Sequence, residues 1–352
     1  ELWHYDAKVP KAHLAKTCCG PVNRGVAIWQ KDEMSPLQVF FGSLDGRLIA
    51  IDALTGEENW SVQSTPTDGN YSITGAPRIV KDMVIIGNGG GELGVRGYIS
   101  AYDVSSGEMR WRFYTVPGDR NKPQESEALE KALSSWSGDE WYKLGGGGGT
   151  VWDTLVFDPD LDILYIGTGN GSPWNRDLRS PGGGDNLYLS SIVAINPNDG
   201  KYIWHYQTTP KENWDYTATQ QLILAELTIK GEERKIIMQA PKNGFFYVLD
   251  RETGELLRAN NYVRTNWATH IDLNTGRPVL NPDKDYYKKA EWILPGTFGG
   301  HGWQAMSYDP KQGLVFIPTM EIAAVHKVKE SYSKTGLYKM QPQTVNTGTE
   351  FN

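Results

Sequence analysis

The feature that most constrains this 352-residue chain is an internal repeat, which in its fullest form has the pattern A-x-D-x-x-T-G-x-x-x-W. Two further copies keep the tryptophan, a fourth keeps the turn alone, and a fifth is a short echo; the copies span residues 50–60, 101–111, 194–204, 248–254 and 272–276. The first four begin 51, 93 and 54 residues apart, and the 93-residue interval fits either two units or one unit with an insertion. A period of about 40–50 residues is typical of a β-propeller.

The chemistry of the repeat explains why it folds in this way. The apolar residues before the aspartate predict a strand, and D-x-x-T-G predicts a tight turn in which the aspartate accepts backbone N–H groups and the glycine takes a positive φ. The tryptophan begins the next strand and is expected to pack against the neighbouring blade, which is a structural role. The chain also has 39 glycines, 13 tryptophans and 18 tyrosines. We therefore predict an all-β propeller of four-stranded blades with tryptophan-docking repeats.

Three glycine-rich segments interrupt the repeat. Residues 125–136 predict a helix, and they are followed by five glycines at 145–149. Because this run lacks the G-K-S/T ending of a phosphate-binding loop, nucleotide binding is not expected; close approach of the backbone to another group is. The loops at 167–175 and 180–186 are also rich in glycine and asparagine. Such loops at strand ends are expected to face the central channel.

The two cysteines, Cys18 and Cys19, are adjacent in the sequence. One interpretation is a pair of reduced, packed thiols. The other is a disulfide between neighbours, although their Cα atoms lie about 3.8 Å apart and the usual disulfide span is about 4.4–6.8 Å. Such a strained ring persists where its surroundings enforce it, often at a functional site, and it requires an oxidising compartment.

Charge and hydropathy exclude two classes of partner. The net charge is −7 and no basic stripe occurs, which argues against nucleic acid. No apolar run approaches the about 18 residues that a membrane-spanning helix needs.

Between Cys18 and Tyr308 the chain carries a series of motifs which, in order, are CCGPVNRG from Cys18, DGRLIAID from Asp45, TGAP from Thr74, GNGGGELGVRGY from Gly87, GGGGGTVW from Gly145, GTGNGSPWN from Gly167, WDY from Trp214 and PKNGFFYVLD from Pro241. In these motifs the chain resembles the alcohol dehydrogenases that depend on pyrroloquinoline quinone (PQQ), in particular the soluble quinohaemoprotein type. The resemblance implies an eight-bladed propeller in the complete family member. Residues 1–352 would form a PQQ-binding propeller domain that is incomplete at both ends.

The resemblance also implies how the quinone is held. A disulfide between Cys18 and Cys19 would cover one face of the ring, and Trp152 would lie under the other. Further residues would bind its polar rim through basic groups, hydroxyls or backbone amides: Arg24, Lys242, Thr74, Thr150, Gly90 and Gly91. In the loop at 299–303 the family often has asparagine before the tryptophan. Here that position is Gly302, so Trp303 is assigned to the cofactor site with a side-chain contact missing beside it.

The same resemblance implies a metal site and a base. Glu92 and Asn170 would hold Ca²⁺ together with the quinone, since both offer the hard oxygen ligands that Ca²⁺ prefers. Asp215 would lie at the metal and act as the general base for the alcohol hydroxyl. Relatives that use a lanthanide carry a second aspartate two residues after the base. That position is Thr217 here, which favours Ca²⁺.

The expected function is therefore oxidation of a small-molecule alcohol to an aldehyde or ketone by hydride transfer to Ca²⁺-bound PQQ. Electrons would pass to a c-type cytochrome or a haem domain in the periplasm. No C-x-x-C-H motif occurs, so a haem c would belong to a domain outside this sequence. Two alternatives remain open: a quinone enzyme acting on a sugar or an amine-bearing substrate, and a non-catalytic envelope scaffold with the same repeat.

Overall fold

The computed structural model describes residues 2–17, 20–328 and 349–351. Cys18 and Cys19 lie outside the described residues, so their predicted pairing stays a prediction. The described part is mostly β-structure and contains four antiparallel four-stranded sheets in which the strands follow one another in chain order. These sheets are the predicted blades of a propeller.

The strands of the four blades have the following bounds. The first comprises β1 (Ala27–Trp29), β2 (Gln38–Gly42), β3 (Arg47–Asp52) and β4 (Glu58–Gln63). The second comprises β5 (Arg78–Val80), β6 (Met83–Gly87), β7 (Tyr98–Asp103) and β8 (Met109–Tyr114). The third comprises β9 (Leu155–Asp158), β10 (Ile163–Gly167), β11 (Ser191–Ile195) and β12 (Tyr202–Gln207). The fourth comprises β13 (Leu222–Ile229), β14 (Glu232–Gln239), β15 (Phe245–Asp250) and β16 (Leu256–Asn261).

Smaller elements lie between and after the blades. The described residues also form three smaller sheets. One pairs β17 (Ala268–Asp272) with β18 (Arg277–Leu280), and another pairs β20 (Ser307–Asp309) with β21 (Leu314–Phe316). In the third, β22 (Ala324–Val328) lies between β19 (Glu291–Ile293) and β23 (Thr349–Phe351). The helices are α1 (Glu127–Ala132), α2 (Glu140–Lys143) and α3 (Arg176–Arg179), with 3₁₀ segments at Lys11–Lys16, Gly91–Leu93, Leu133–Ser135 and Pro282–Lys284. No helix within the described ranges is long and apolar enough to cross a membrane.

The turns of the repeat have the predicted chemistry. Oδ1 of Asp52 accepts hydrogen bonds from the backbone N–H groups of Leu54 and Thr55, at 2.8 and 2.9 Å. The turn ends at Gly56, which has a φ of +73°. Asp103 at the end of β7 and Asp250 at the end of β15 accept the corresponding pair of backbone N–H groups. In the first four copies the strand register shifts two positions before the aspartate, or before the asparagine of the third copy.

Tryptophan docking joins successive blades. The indole of Trp60 donates to the carbonyl of Val104 at 3.1 Å, and its ring lies 2.7 Å from the position that a Cβ on Gly107 would occupy. The Trp111 ring lies against Gly200 in the same manner, and the Trp204 ring lies against Gly254. The repeat tryptophans therefore have the structural role that the sequence predicts. The structure adds a docking residue that the repeat does not contain: Trp3 covers Gly56 and donates to Ala53.

The apolar core lies between neighbouring sheets. One cluster joins residues of β3, such as Leu48, to Val84 and Ile86 of β6. The next two clusters join the second blade to the third and the third to the fourth. The 93-residue interval of the repeat is thus one blade with insertions at 115–154 and 168–190. Residues 125–136 form the predicted helix in part, as α1 and the 3₁₀ turn after it, with Ser126 as N-cap.

Candidate active site

The loops that leave the strand ends surround a cavity of about 590 Å³, a size usual for small-molecule sites. Every described residue that the sequence assigns to the site lines this cavity: Arg24, Thr74, Gly90, Gly91, Glu92, Thr150, Trp152, Asn170, Asp215, Lys242 and Trp303. These residues come from the first blade's leading segment, the second, third and fourth blades and the loop after β19. The fold therefore brings together side chains that are far apart in the sequence.

The five-glycine run at 145–149 joins two neighbouring segments of the site through backbone hydrogen bonds. Gly148 donates to Val95 at 2.9 Å and its carbonyl accepts from Gly97 at 2.8 Å. Gly149 donates to the carbonyl of Asn170 at 2.9 Å. A Cβ on Gly148 would lie 2.5 Å from that same carbonyl, so the three segments can approach this closely because the run has no side chains. The run is thus a packed connector and not a flexible linker.

This backbone ladder brings the two predicted metal ligands together. Glu92 lies in the 3₁₀ segment Gly91–Leu93, between Gly90 at φ +100° and Gly94 at φ +76°. Asn170 is 2% exposed, and its amide nitrogen donates to Gly171 at 3.2 Å. A Cβ on Gly91 would lie 3.3 Å from the Thr150 hydroxyl and 3.8 Å from the Asn170 Oδ1. Glu92 and Asn170, from the second and third blades, therefore line the same cavity.

Asp215 is 8% exposed and has a φ of +65°, in the left-handed region that a non-glycine residue seldom adopts. The ammonium of Lys242 donates to its Oδ2 at 2.8 Å and to its backbone carbonyl at 3.1 Å. Oδ1 is buried and has no hydrogen-bond partner within the described ranges. Burial raises the pKa of Asp215 well above its ordinary value, Lys242 opposes that rise, and the negative charge of Glu92 adds to it.

Also in the cavity lining, Arg24 lies over the Trp152 indole, with its Cζ 4.8 Å from the ring centroid. Its Nη1 donates to the Thr74 hydroxyl at 2.6 Å, and its Nε is buried without a partner among the residues described. Burial lowers the pKa of Arg24, and Asp153 opposes that change. Burial in turn raises the pKa of Asp153 to about 6, against the pull of Arg24 and Arg78. Arg24 therefore offers an unused donor toward an anionic group.

The cavity has lining residues that the sequence did not identify. Gly20, Val22 and Asn23 lie in the CCGPVNRG motif and Gly89 lies in the motif that begins at Gly87, so these motifs could have identified them. The others lie outside the quoted motifs: Thr17, Ser72, Phe298, Gln304 and Met320. Two aromatic side chains in the lining are largely exposed, Phe298 at 65% and Trp303 at 58%, so they lie on the open side of the cavity.

Gly302 lies beside the side chain of Gln304. A Cβ on Gly302 would lie 2.6 Å from Oε1 of Gln304. The contact that the sequence expects to be missing beside Trp303 stays a prediction.

The set of groups in the cavity fits an anionic, planar cofactor and a hard cation. An indole provides a flat surface for stacking. A guanidinium and an ammonium can bind carboxylates or carbonyls, and a buried carboxylate oxygen and an unpaired guanidinium N–H still require partners. Glu92, Asn170 and Asp215 supply the oxygen ligands that Ca²⁺ takes. A β-propeller with such a site is typical of a quinone-dependent oxidoreductase.

The comparison with known families agrees. Residues 1–263 match the model of the PQQ family described as "Glucose/ethanol/alcohol dehydrogenase, beta-propeller domain". Because this match covers most of the chain, the chain belongs to the PQQ-dependent dehydrogenase β-propeller family. It is 57% identical over 327 residues to the quinohemoprotein alcohol dehydrogenase ADH IIB of Pseudomonas putida, a match that covers 93% of this chain and 46% of that protein. The chain thus spans about half the length of the curated relatives it matches.

Solved structures show the same relationship. The crystal structure of the quinohemoprotein alcohol dehydrogenase from Comamonas testosteroni superimposes with a TM-score of 0.93 at 47% identity, covering 100% of this chain and 52% of that one. A europium-containing methanol dehydrogenase superimposes with a TM-score of 0.85 at 36% identity, covering 95% of this chain and 58% of that one. The blade architecture predicted from the repeat is therefore confirmed.

Proposed function

We propose that this chain is the PQQ-binding part of a quinoprotein alcohol dehydrogenase, which oxidises a small alcohol to an aldehyde or ketone and passes the electrons to a c-type cytochrome or a haem domain. The observation that carries the proposal is that Glu92, Asn170, Asp215 and Lys242 line one cavity together with Trp152. The relative named above is a quinohemoprotein alcohol dehydrogenase, which supports both the reaction and the haem acceptor.

Asp215 is the proposed general base. Its Oδ2 is held by Lys242, so the other oxygen, Oδ1, is free to accept the hydroxyl proton of an alcohol. A base must lie within hydrogen-bond reach of the proton it takes, and Asp215 lines the cavity that the alcohol would enter. Because its buried carboxylate is costly without a partner, the proton of the alcohol would relieve that cost.

PQQ, when bound, supplies the two-electron acceptor for the hydride that leaves the carbinol carbon. Arg24, Thr74 and Thr150 would bind the polar edge of the quinone. Lys242 would donate to its reacting carbonyl and stabilise negative charge there. Cys18 and Cys19 are proposed to form the opposite, disulfide wall, which also implies an oxidising compartment and favours the periplasm.

Ca²⁺ is the proposed metal, held by Glu92, Asn170 and Asp215, where it would act as a Lewis acid. Thr217 supports this choice. Its hydroxyl bonds Gln220 at 3.0 and 3.2 Å and Thr219 at 3.0 Å. A neutral hydroxyl with these partners adds no negative charge for a trivalent ion.

The decisive experiment adds PQQ and Ca²⁺ to the full-length protein. The expected result is an absorption band of bound quinone and dye-linked oxidation of primary alcohols. A folded protein with neither band nor activity would refute the proposal and leave the scaffold alternative. A band with turnover of glucose or an amine, but not of alcohols, would assign the site to a sibling enzyme.

A further inference from the structure

Glu212 is a buried carboxylate that touches both loops on which the proposed metal site depends. It is 0% exposed. Its Oε1 accepts the backbone N–H groups of Trp214 at 2.7 Å and Tyr216 at 2.9 Å, which are the two neighbours of Asp215. Its Oε2 accepts the N–H of Gly171 at 3.0 Å, the residue that follows Asn170. One side chain therefore joins the loop of the base to the loop of the amide ligand.

Arg179 forms a second link between the same loops. It is 0% exposed and donates to the carbonyls of Pro173 at 2.5 Å and Trp174 at 3.1 Å, in the loop after Asn170. Its Nη2 donates to the carbonyl of Glu212 at 2.6 Å. Neither Glu212 nor Arg179 is among the described residues that line the cavity, so neither would touch substrate or cofactor.

The bonds on either side of Asp215 explain how its conformation persists. A non-glycine residue at φ +65° is in the left-handed region, where an L-residue is strained. Such a conformation survives where its surroundings over-determine it. Glu212 fixes the amides before and after Asp215, while Lys242 fixes its carbonyl and Oδ2.

A carboxylate suits this position because it has an acceptor oxygen at each end of its planar group. Glutamine has the same length, but it has one acceptor oxygen and one amide donor. In either orientation it would present a donor to a donor, either at Gly171 or at Trp214 and Tyr216. A buried N–H group that is left without an acceptor destabilises the folded state.

We propose that Glu212 is a positioning residue, which holds the Asn170 and Asp215 loops in one geometry and thereby sets the metal affinity of the site and the efficiency of the base. This inference rests on the proposed function for its consequence, but its structural core is the link between the two loops.

The test compares Glu212→Gln with the parent in the full-length protein. The Kd for Ca²⁺ is expected to rise, and kcat to fall, each by about 10–100-fold, as is usual when a residue that orients metal ligands is changed. The KM for the alcohol should change by less than about threefold, because Glu212 does not line the cavity. Amide hydrogen exchange at residues 171, 214 and 216 should be faster, with or without cofactor.

Asp158→Asn is the matched control. Asp158 is 1% exposed, accepts the N–H groups of Asp160 and Leu161, and pairs with Arg251 at 2.6 Å, but it ends strand β9 away from the cavity lining. It should lower thermal stability and leave the Kd for Ca²⁺ unchanged within about twofold. Equal changes in Ca²⁺ affinity for the two variants would overturn the proposal.

Two further outcomes are informative. If Glu212→Gln does not fold, Glu212→Asp is the second variant. It keeps both acceptor oxygens but is one methylene too short to span the loops, so it should weaken Ca²⁺ binding. Unchanged Ca²⁺ binding and unchanged amide exchange in this variant would contradict the proposal. If the parent protein binds neither PQQ nor Ca²⁺, the proposed function fails, while the exchange at residues 171, 214 and 216 still decides whether Glu212 joins the loops.

Discussion

The ammonium of Lys242 donates two hydrogen bonds to Asp215, one to the carboxylate Oδ2 and one to the backbone carbonyl. This leaves Oδ1 as a buried acceptor without a partner in the described part of the chain. The loop at 299–303 packs on Lys242 in turn: Gly300 donates to its carbonyl at 2.9 Å, and a Cβ on Gly299 would lie 2.4 Å from its Cγ. Lys242 is therefore held by this loop, and it binds the proposed base at two atoms.

Asp215→Asn should lower kcat by at least about 10²-fold, because a general base contributes about 10²–10⁴-fold and the amide cannot take the hydroxyl proton. The bound-quinone absorption band should remain, since the change preserves shape and Lys242 can still donate to the amide oxygen. Steady-state kinetics with dye acceptor would measure the effect. Asp185→Asn, at a surface pair with Arg277, is the control and should stay within about twofold. Turnover of Asp215→Asn near that of the parent would remove Asp215 from the role of base.

Thr217→Asp should shift the metal preference toward trivalent ions. A further carboxylate in the cavity lining gains more from a charge of +3 than from +2, by about 4 kcal/mol per unit charge at 4 Å and an effective dielectric of 20. The ratio of La³⁺ to Ca²⁺ affinity is therefore expected to rise at least about tenfold over the parent, as titration calorimetry can measure. An unchanged ratio would contradict the explanation of Ca²⁺ selectivity given above.

Asp153 predicts a dependence of stability on pH. Its folded-state pKa of about 6 lies above the ordinary value of 3.8, so the folded chain binds this proton more tightly than the unfolded chain. The contribution of Asp153 to stability is therefore lost as the pH rises from about 4 to about 6. The free energy of unfolding of Asp153→Asn, minus that of the parent, should increase between pH 4 and pH 7 in urea titrations.

Asp52→Asn is the control for this measurement. Backbone hydrogen bonds in the turn hold the pKa of Asp52 below its ordinary value, so its stabilising contribution is lost only as the pH falls below about 4. Its difference from the parent should be flat between pH 4 and pH 7. If the Asp153→Asn difference were equally flat, Asp153 would not have the raised pKa inferred from its burial.

Gly107→Ala should destabilise the propeller more than Gly231→Ala. Both glycines have a positive φ, +71° and +87°, so both variants carry a similar backbone cost. A Cβ on Gly107 would lie 2.7 Å from the Trp60 ring, whereas a Cβ on Gly231 would meet nothing within 4 Å. Overpacking costs about 1–3 kcal/mol, which is the expected difference between the two unfolding free energies. Equal destabilisation would mean that the Trp60 contact does not join the blades.

The blades were predictable because each carries its own local signal. The signal lies within one copy of the repeat. It consists of the aspartate and glycine of the turn and the tryptophan that follows, which determine a bulge, a positive φ and a docking contact with the next blade. Trp3 docks in the same way but lies outside a copy of the repeat, so its sequence neighbourhood gave no sign of it. The structure of residues 117–149 could not be predicted either, apart from the helix, because their packing depends on segments of other blades.

The candidate site residues came from a different kind of signal. The resemblance supplied Glu92, Asn170 and Asp215, and the structure brings all three to one cavity. Glu212 could not be found, because nothing local distinguishes it from an exposed loop glutamate: its partners are backbone N–H groups, which every sequence has. Gln304 was missed for a similar reason, since its proximity to Gly302 depends on the shape of the loop.

The docking contact between blades bridges 47 residues from Trp60 to Gly107, 89 from Trp111 to Gly200 and 50 from Trp204 to Gly254. In all three cases the tryptophan ring lies against the glycine of the next blade, although the second blade is followed by an insertion that carries two helices. Loop length and scaffold integrity are thus decoupled in this chain. Mutation can therefore lengthen or replace the segments that shape the cavity while the blades stay in register, which gives the architecture a route to a changed cavity at low structural risk.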